Sequence, residues 1–242
     1  MKIVKVPGIN GLGRTSGVIG APDSLVSEGE NININLDDIS EQVEQIYQGA
    51  RKFLNEGKSL FVGGDHSISY SVGKAFLEKS NNPCLVVFDA HADCMPPLKE
   101  PTHEEWLRGV IDFGLSGERV LLIGSRKVED IEVDYMNQKG VKRISVEQIR
   151  ENFDNVFNEI KEHTKDREVY VSVDIDVLDS GLINATGYPV SGGLTKEELI
   201  DMINACKEGN VICSDLVEYN PLKDENGKSL FVVKEILSCL KS

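Results

Sequence analysis

The stretch Val86–Asp93 constrains this chain more than any other. It reads Val-Val-Phe-Asp-Ala-His-Ala-Asp, an apolar run that drives straight into three potential metal ligands at alternate positions, Asp89, His91 and Asp93. In extended backbone, side chains two apart fall on the same face, so one short segment presents two carboxylates and an imidazole in one direction. Two echoes lie elsewhere: Phe61–Ser67 reads Phe-Val-Gly-Gly-Asp-His-Ser, and Val169–Asp176 reads Val-Tyr-Val-Ser-Val-Asp-Ile-Asp. Each is again an apolar run ending in Asp or His. The rest of the chain then reads as scaffold that brings three strand ends together.

The surrounding pattern supports such a scaffold. Short apolar strand candidates at 2–6, 59–63, 84–89, 120–123, 142–144, 168–174 and 211–217 alternate with helical stretches at 38–57, 68–79, 102–113, 130–139, 146–164, 195–207 and 229–240. The first of these helices is clearly amphipathic: Ile39, Val43, Ile46, Ala50, Phe53 and Leu54 recur at spacings of three and four, and Gly57 stands where a C-cap belongs. Thr102-His103-Glu104-Glu105 and Thr195-Lys196-Glu197-Glu198 carry the capping-box pattern. Apolar strands alternating with helices predict an α/β fold with a mostly parallel sheet buried on both faces. No linker or composition break divides the chain, so residues 1–242 read as one domain. The acids and histidines gather just beyond the C-terminal ends of strands 59–63, 84–89 and 168–174, the edge where open α/β sheets bind ligands. Residues 8–17 hold four glycines, but their third spacing is wrong for a Gly-x-Gly-x-x-Gly nucleotide loop; they read as a flexible or closely packed loop.

Charge narrows the partners. The net charge of −14 argues against nucleic acid and anionic membrane surfaces, which are bound through basic patches, and favours cationic ligands and metals. No apolar run approaches the roughly 18 residues of a membrane span, and the first residues lack a signal peptide's apolar core, so a cytoplasmic location is expected. Five cysteines at long spacings, none in a Cys-x-x-Cys pair, fit a reduced compartment, with Cys94 as a small buried filler.

Four or more uncompensated carboxylates at one sheet edge would repel strongly, and a bound metal resolves that. Asp174-Ile-Asp176 alone could be a turn or a helix cap, and Asp65-His66-Ser67 could simply cap the next helix; placed at buried strand ends, both join the first motif. The donor set is then His66, Asp89, His91, Asp93, Asp174 and Asp176. Carboxylates with imidazoles suit Mn²⁺, Fe²⁺, Co²⁺ or Zn²⁺, and the oxygen excess leans toward Mn²⁺. Six donors exceed one ordinary site, whereas two metals about 3.5–4 Å apart with bridging carboxylates would use them all.

These motifs carry a resemblance. Gly63-Gly64-Asp65-His66-Ser67, Asp89-Ala90-His91-Ala92-Asp93 and Ser172-Val173-Asp174-Ile175-Asp176-Val177-Leu178-Asp179 resemble the three signatures of the ureohydrolase family, the arginases and agmatinases. The likeness extends, in the family's order, to Ala185–Thr195 and Asp215–Pro221. It implies a three-layer α/β/α arrangement and a binuclear manganese site, with two Mn²⁺ per chain. His66, Asp89, Asp93 and Asp174 would hold one ion, and His91, Asp89, Asp174 and Asp176 the other, with Asp89 and Asp174 bridging. Hydroxide would attack the carbon of a small cationic guanidino substrate and release urea. Glu218 matches the family acid that holds the guanidinium group. His103 matches the histidine that passes a proton to the leaving amine, although a capping Thr102 would also account for a histidine in a first helical turn. A helix N-terminus there would keep that imidazole neutral. Asp93, His103 and Glu218 are the residues expected to take part in catalysis. A homo-oligomer, trimer or hexamer, is implied by the resemblance alone. The chain departs from arginases after Asp93: Cys94–Glu100 has no Asn or Ser to bind an amino-acid substrate, and Tyr188 stands where Gly-Thr-Pro is usual. Agmatine, another guanidino compound or a formimino compound is therefore as well matched as arginine. Two rivals remain from the residues themselves: a different metal hydrolase, such as a deacetylase or phosphoesterase, and a metal-binding protein without catalysis.

Overall fold

Residues 1–11 and 13–242 are described by a computed structural model. The strands are β1 (Lys2–Val6), β2 (Glu30–Asn31), β3 (Ser59–Gly63), β4 (Pro83–Phe88), β5 (Val120–Ile123), β6 (Lys142–Ile144), β7 (Glu168–Asp174) and β8 (Asn210–Val217). They form one sheet in the order β2-β1-β3-β8-β7-β4-β5-β6, and every neighbouring pair is parallel. The helices are α1 (Ala21–Leu25), α2 (Ile39–Glu56), α3 (Ile68–Lys79), α4 (Trp106–Phe113), α5 (Asp130–Lys139), α6 (Val146–Glu151), α7 (Phe153–Thr164), α8 (Lys196–Cys206) and α9 (Lys228–Lys241).

Strand alternation explains the three layers. Phe61, Leu85, Val87, Leu122 and Tyr170 point to one face and pack under α2, α3, α4 and α5. Leu60, Val62, Val86, Phe88, Val171 and Val173 point to the other and pack under α1 and α6 to α9. A strand covered on both sides must be apolar at successive positions, which is why these strands read as continuous runs.

Two predicted helices differ in extent. The stretch 146–164 divides at Asn152 (φ −155°, ψ 77°), whose side chain accepts a hydrogen bond from the Asn155 N–H at 3.0 Å and starts α7 anew. The helix expected from Thr102 begins only at Trp106. The Thr102 N–H and hydroxyl both donate to Glu105 Oε2 at 2.7 Å, but the box closes a turn over 103–105, leaving His103 ahead of the helix. The second box, Thr195 to Glu198, caps α8 as read.

The glycine-rich loop is the closely packed one of its two readings, with Leu12 outside the described residues. Gly64 donates to the Val6 carbonyl at 3.0 Å and Asp65 N–H to the Gly8 carbonyl at 3.1 Å. A Cβ on Gly64 would fall on the Gly8 carbonyl oxygen, so only glycine permits this approach of loop to strand end. Among the described residues, no helix is long and apolar enough to cross a membrane.

Candidate metal centre

Four contiguous central strands, β3, β8, β7 and β4, deliver the candidate residues to one sheet edge. β4 ends at Phe88, so the three donors after it converge through a turn, not through strand alternation. The His91 N–H donates to Asp89 Oδ1 at 2.7 Å, the Ala90 N–H to Asp176 Oδ1 at 3.1 Å, and Asp93 sits in left-handed backbone at φ 50°. Asp89 and Asp93 thereby face His66, while His91 turns to Asp176.

His66 Nδ1 lies 3.0 Å from Asp89 Oδ2, 3.1 Å from Asp93 Oδ2 and 3.4 Å from Asp174 Oδ2. His91 Nδ1 lies 2.9 Å from Asp176 Oδ2 and 3.5 Å from Asp89 Oδ1. Two donor groups result, His66–Asp89–Asp93 and Asp89–His91–Asp176, and Asp89 belongs to both. The six sequence-proposed donors are thus brought together, with one oxygen of Asp89 toward each group.

A cation fits the space between them. The Ser172 hydroxyl donates to Asp215 Oδ1 at 2.8 Å, which uses its only hydrogen. Its oxygen is left to accept from His66 Nε2 at 2.9 Å. His66 Nδ1 then carries a lone pair aimed at three carboxylate oxygens, and neither His66 Nδ1 nor Asp89 Oδ2 has a hydrogen-bond partner among the described residues. Without a cation the only remedy is a proton. Burial opposes charge on His66, but the Asp174, Asp89 and Asp93 carboxylates outweigh it and raise its pKa well above the usual value; for His91 the same opposition ends at about 12, with Asp176 the main partner. Burial and the Asp89 charge push Asp93 up to about 7. Burial and neighbouring carboxylates likewise raise Asp174 and Asp176, whereas the hydrogen bonds and charges of His66 and His91 outweigh burial and lower Asp89. A site that drives imidazoles to hold protons and three of its four carboxylates to keep them is arranged around missing positive charge.

Glu218, at the end of β8, is buried with φ 67°, a conformation an ordinary side chain adopts only under constraint. Its Oε1 accepts the His66 N–H at 3.0 Å and meets His103 Nδ1 at 3.2 Å, while Oε2 has no partner among the described residues. His103 Nδ1 therefore carries its hydrogen, and Nε2, buried and also unpartnered, is the atom free to exchange a proton. Burial alone would lower the His103 pKa, but the Glu218 hydrogen bond and charge raise it to about 9. That reverses the expectation of a neutral imidazole at a helix N-terminus: His103 lies outside the helix and beside a carboxylate.

A cavity of about 720 Å³ opens on these groups and is walled by His66, His91, His103, Asp174, Tyr188 and Glu218. The Tyr188 ring lies 5.3 Å from that of His103, and the Arg14 guanidinium lies over the Tyr188 ring, 5.2 Å from its centre. Of the segment Cys94–Glu100, where the chain departs from arginases, only Met95 borders the cavity among the described residues; Arg14, Lys127, Glu129 and Asp130 from other segments also line it. Cys94 is fully buried, with burial pushing its thiol well up, as a filler should be.

Four supporting residues have no role assigned from the motifs, although Asp65 and Asp215 lie within them. Asp215 accepts from Ser172, Ser69 and Tyr170 and so holds the His66 tautomer. Asp65 accepts the Asn10 N–H at 2.9 Å and the Thr15 hydroxyl at 3.2 Å, fastening the N-terminal loop to the site. Arg126 donates to six backbone carbonyls, among them Asp176 and Val190, each at 2.8 Å. Trp106 Nε1 donates to Asp93 Oδ2 at 2.7 Å. An acid inside an apolar strand, as at Asp215, was the one available signal.

Residues 16–241 match the model of the arginase family. The chain belongs to the arginase family. It is 30% identical over 220 residues to a mitochondrial agmatinase of Gallus gallus, covering 88% of this chain and 65% of that protein. It is 27% identical over 231 residues to a mitochondrial guanidino acid hydrolase of Homo sapiens, with 92% and 65% covered. This arginase-family chain thus spans about two thirds of the length of these relatives. The structure of proclavaminate amidino hydrolase from Streptomyces clavuligerus superposes with a TM-score of 0.91 at 24% identity, over 98% of this chain and 89% of that one, a likeness of fold.

Proposed function

We propose that this chain is a metal-dependent hydrolase of the linear C–N bond of a guanidino compound, releasing urea. The observation that carries the reading is Glu218. One of its oxygens is held by the His66 N–H and His103, and the other is buried, without a partner among the described residues, and on the cavity shared with the acid-histidine cluster. An ionised carboxylate with one free oxygen suits a planar cation, which it can bind with charge-assisted hydrogen bonds. It is a poor neighbour for the anion of a phosphoester, which weakens the phosphoesterase rival.

Two divalent cations would be held by His66, Asp89, Asp93 and Asp174 and by His91, Asp89, Asp174 and Asp176, and the oxygen-rich set favours manganese. The chemistry such ions supply is the acidification of water, which makes hydroxide available near neutral pH. The chain's own residues do the remainder. Glu218 orients the guanidinium, and the buried walls exclude bulk water. His103 gives a proton from Nε2 to the substituted nitrogen as the bond between it and the guanidinium carbon breaks. Water thus contributes its oxygen to urea, and the substrate's tail leaves as an amine.

Protein loaded with Mn²⁺ is expected to release urea from at least one of agmatine, 4-guanidinobutyrate and arginine; loss of the substrate without urea, or no turnover across this panel and formiminoglutamate, would reject the reading. His103→Asn should lower kcat by about 10²- to 10⁴-fold, the range for a positioned proton donor, and leave the bound metal unchanged by elemental analysis. Unaltered kcat in that variant would remove His103 from the proton-transfer role.

A further inference from the structure

The indole of Trp106 touches two of the candidate metal donors at once. Its Nε1–H donates to Asp93 Oδ2 at 2.7 Å, and its ring lies against the His66 imidazole, centroids 4.5 Å apart and planes 33° apart. Asp93 Oδ2 is the same oxygen that lies 3.1 Å from His66 Nδ1. Trp106 is fully buried at the first position of α4, the helix that packs on α3 behind His66. It is also the only tryptophan in the chain.

We propose that Trp106 is a positioning residue for the metal ion on the His66 side, acting through Asp93 and His66, and that its fluorescence reports occupancy of that position. The inference rests on the metal-binding reading above. A carboxylate oxygen has two in-plane lone pairs. The indole N–H occupies one lone pair of Oδ2 and orients the other toward His66 Nδ1 and Asp89. The tilted ring packed against it limits rotation of the imidazole, whose Nε2 is already tied to Ser172. On the His91 side the aromatic neighbour is Tyr188, edge-on at 6.3 Å between ring centroids, Asp176 is held by the Ala90 backbone N–H, and the imidazole is 24% exposed against 1% for His66. Outer partners that orient ligands in this way typically change metal affinity by about 10- to 100-fold when removed. The effect should fall on one of the two ions alone.

Trp106→Phe keeps an aromatic ring against His66 and removes the donor. Metal-free wild-type and variant protein are titrated with Mn²⁺ and, to separate binding from paramagnetic quenching, with Zn²⁺, by calorimetry and by tryptophan emission in the wild type. Wild type is expected to bind two ions, with the emission change complete after one equivalent assigned to the His66 side. The variant should keep one affinity and weaken the other by about tenfold or more. Should the smaller ring disturb folding, as a circular-dichroism melt of the metal-free variant would reveal, replacement of this single tryptophan by its benzothienyl analogue keeps the shape and removes only the N–H. Two unchanged affinities in a folded variant, or emission indifferent to both ions while two bind, would overturn the role of Trp106 and leave the metal reading standing. A wild-type chain that binds neither ion would overturn both.

Discussion

Replacing Asp89 with asparagine is expected to abolish hydrolysis and to release both metal ions. Among the described residues Asp89 alone belongs to both geometric donor groups, and with Asp174 it is shared by the two proposed ligand sets: its Oδ2 lies 3.0 Å from His66 Nδ1 and its Oδ1 3.5 Å from His91 Nδ1. The amide has nearly the same shape, so packing between Phe88 and Ala90 is kept. It removes one negative charge from the centre of the cluster and turns an N–H₂ toward one of the two positions. A cation there meets a donor instead of a lone pair. Loss of the metal pair removes several kcal/mol of transition-state stabilisation, so kcat/KM should fall by at least about 10³-fold. Elemental analysis after dialysis should find fewer than one ion per chain where the parent holds two. A variant that keeps both ions and full activity would remove Asp89 from the ligand set.

Glu218→Gln should separate substrate recognition from metal binding. The glutamine oxygen can still accept from the His66 N–H, so the turn at the end of β8 can persist. The charge facing the cavity is gone, and with it the charge-assisted pair to a guanidinium. Breaking a buried charged pair by truncating one partner costs about 2–5 kcal/mol, so kcat/KM for the guanidino substrate should fall by about 30- to 4,000-fold with the metal content unchanged. A second effect follows from the contact to His103. With a neutral side chain at 218, the largest offset to the burial that lowers the His103 pKa is gone and only the Asp65 and Asp93 charges still raise it, so the value near 9 should drop. The high-pH limb of kcat in the residual activity should move to lower pH. An unchanged kcat/KM would reject Glu218 as the guanidinium holder.

Much of the fold was legible because burial writes itself into sequence. β3, β5, β6 and β7 and helices α3 and α5 fall where apolar runs and helical spacing put them, and Gly57 ends α2. The misreadings have local causes. Asn152 competes with the helix for its own backbone N–H groups, and the Thr102–Glu105 box satisfies itself in a turn before any helix begins. Both depend on hydrogen bonds three residues apart that a hydrophobic pattern does not register. The supporting polar groups were harder still. Asp65, Ser172 and Trp106 acquire their meaning from partners distant in sequence or across a turn, and their residue types are ordinary.

By itself, the sequence of Asp89, His91 and Asp93, with its echoes at His66 and Asp174-Ile-Asp176, determined that candidate metal-binding side chains stand at the ends of buried strands. The physical reason is local: an apolar run must be covered, and charged groups directly after it can only lie at the sheet's edge. The order of the strands was decided in three dimensions. β8, nearly the last element of the chain, inserts between β3 and β7, which sets Glu218 beside His66 and His103 and supplies Asp215 to hold the His66 tautomer. Tertiary structure also decided which oxygen faces which histidine, because those directions come from the turn after Phe88 and the left-handed backbone of Asp93 and Glu218, conformations that only the packed surroundings maintain.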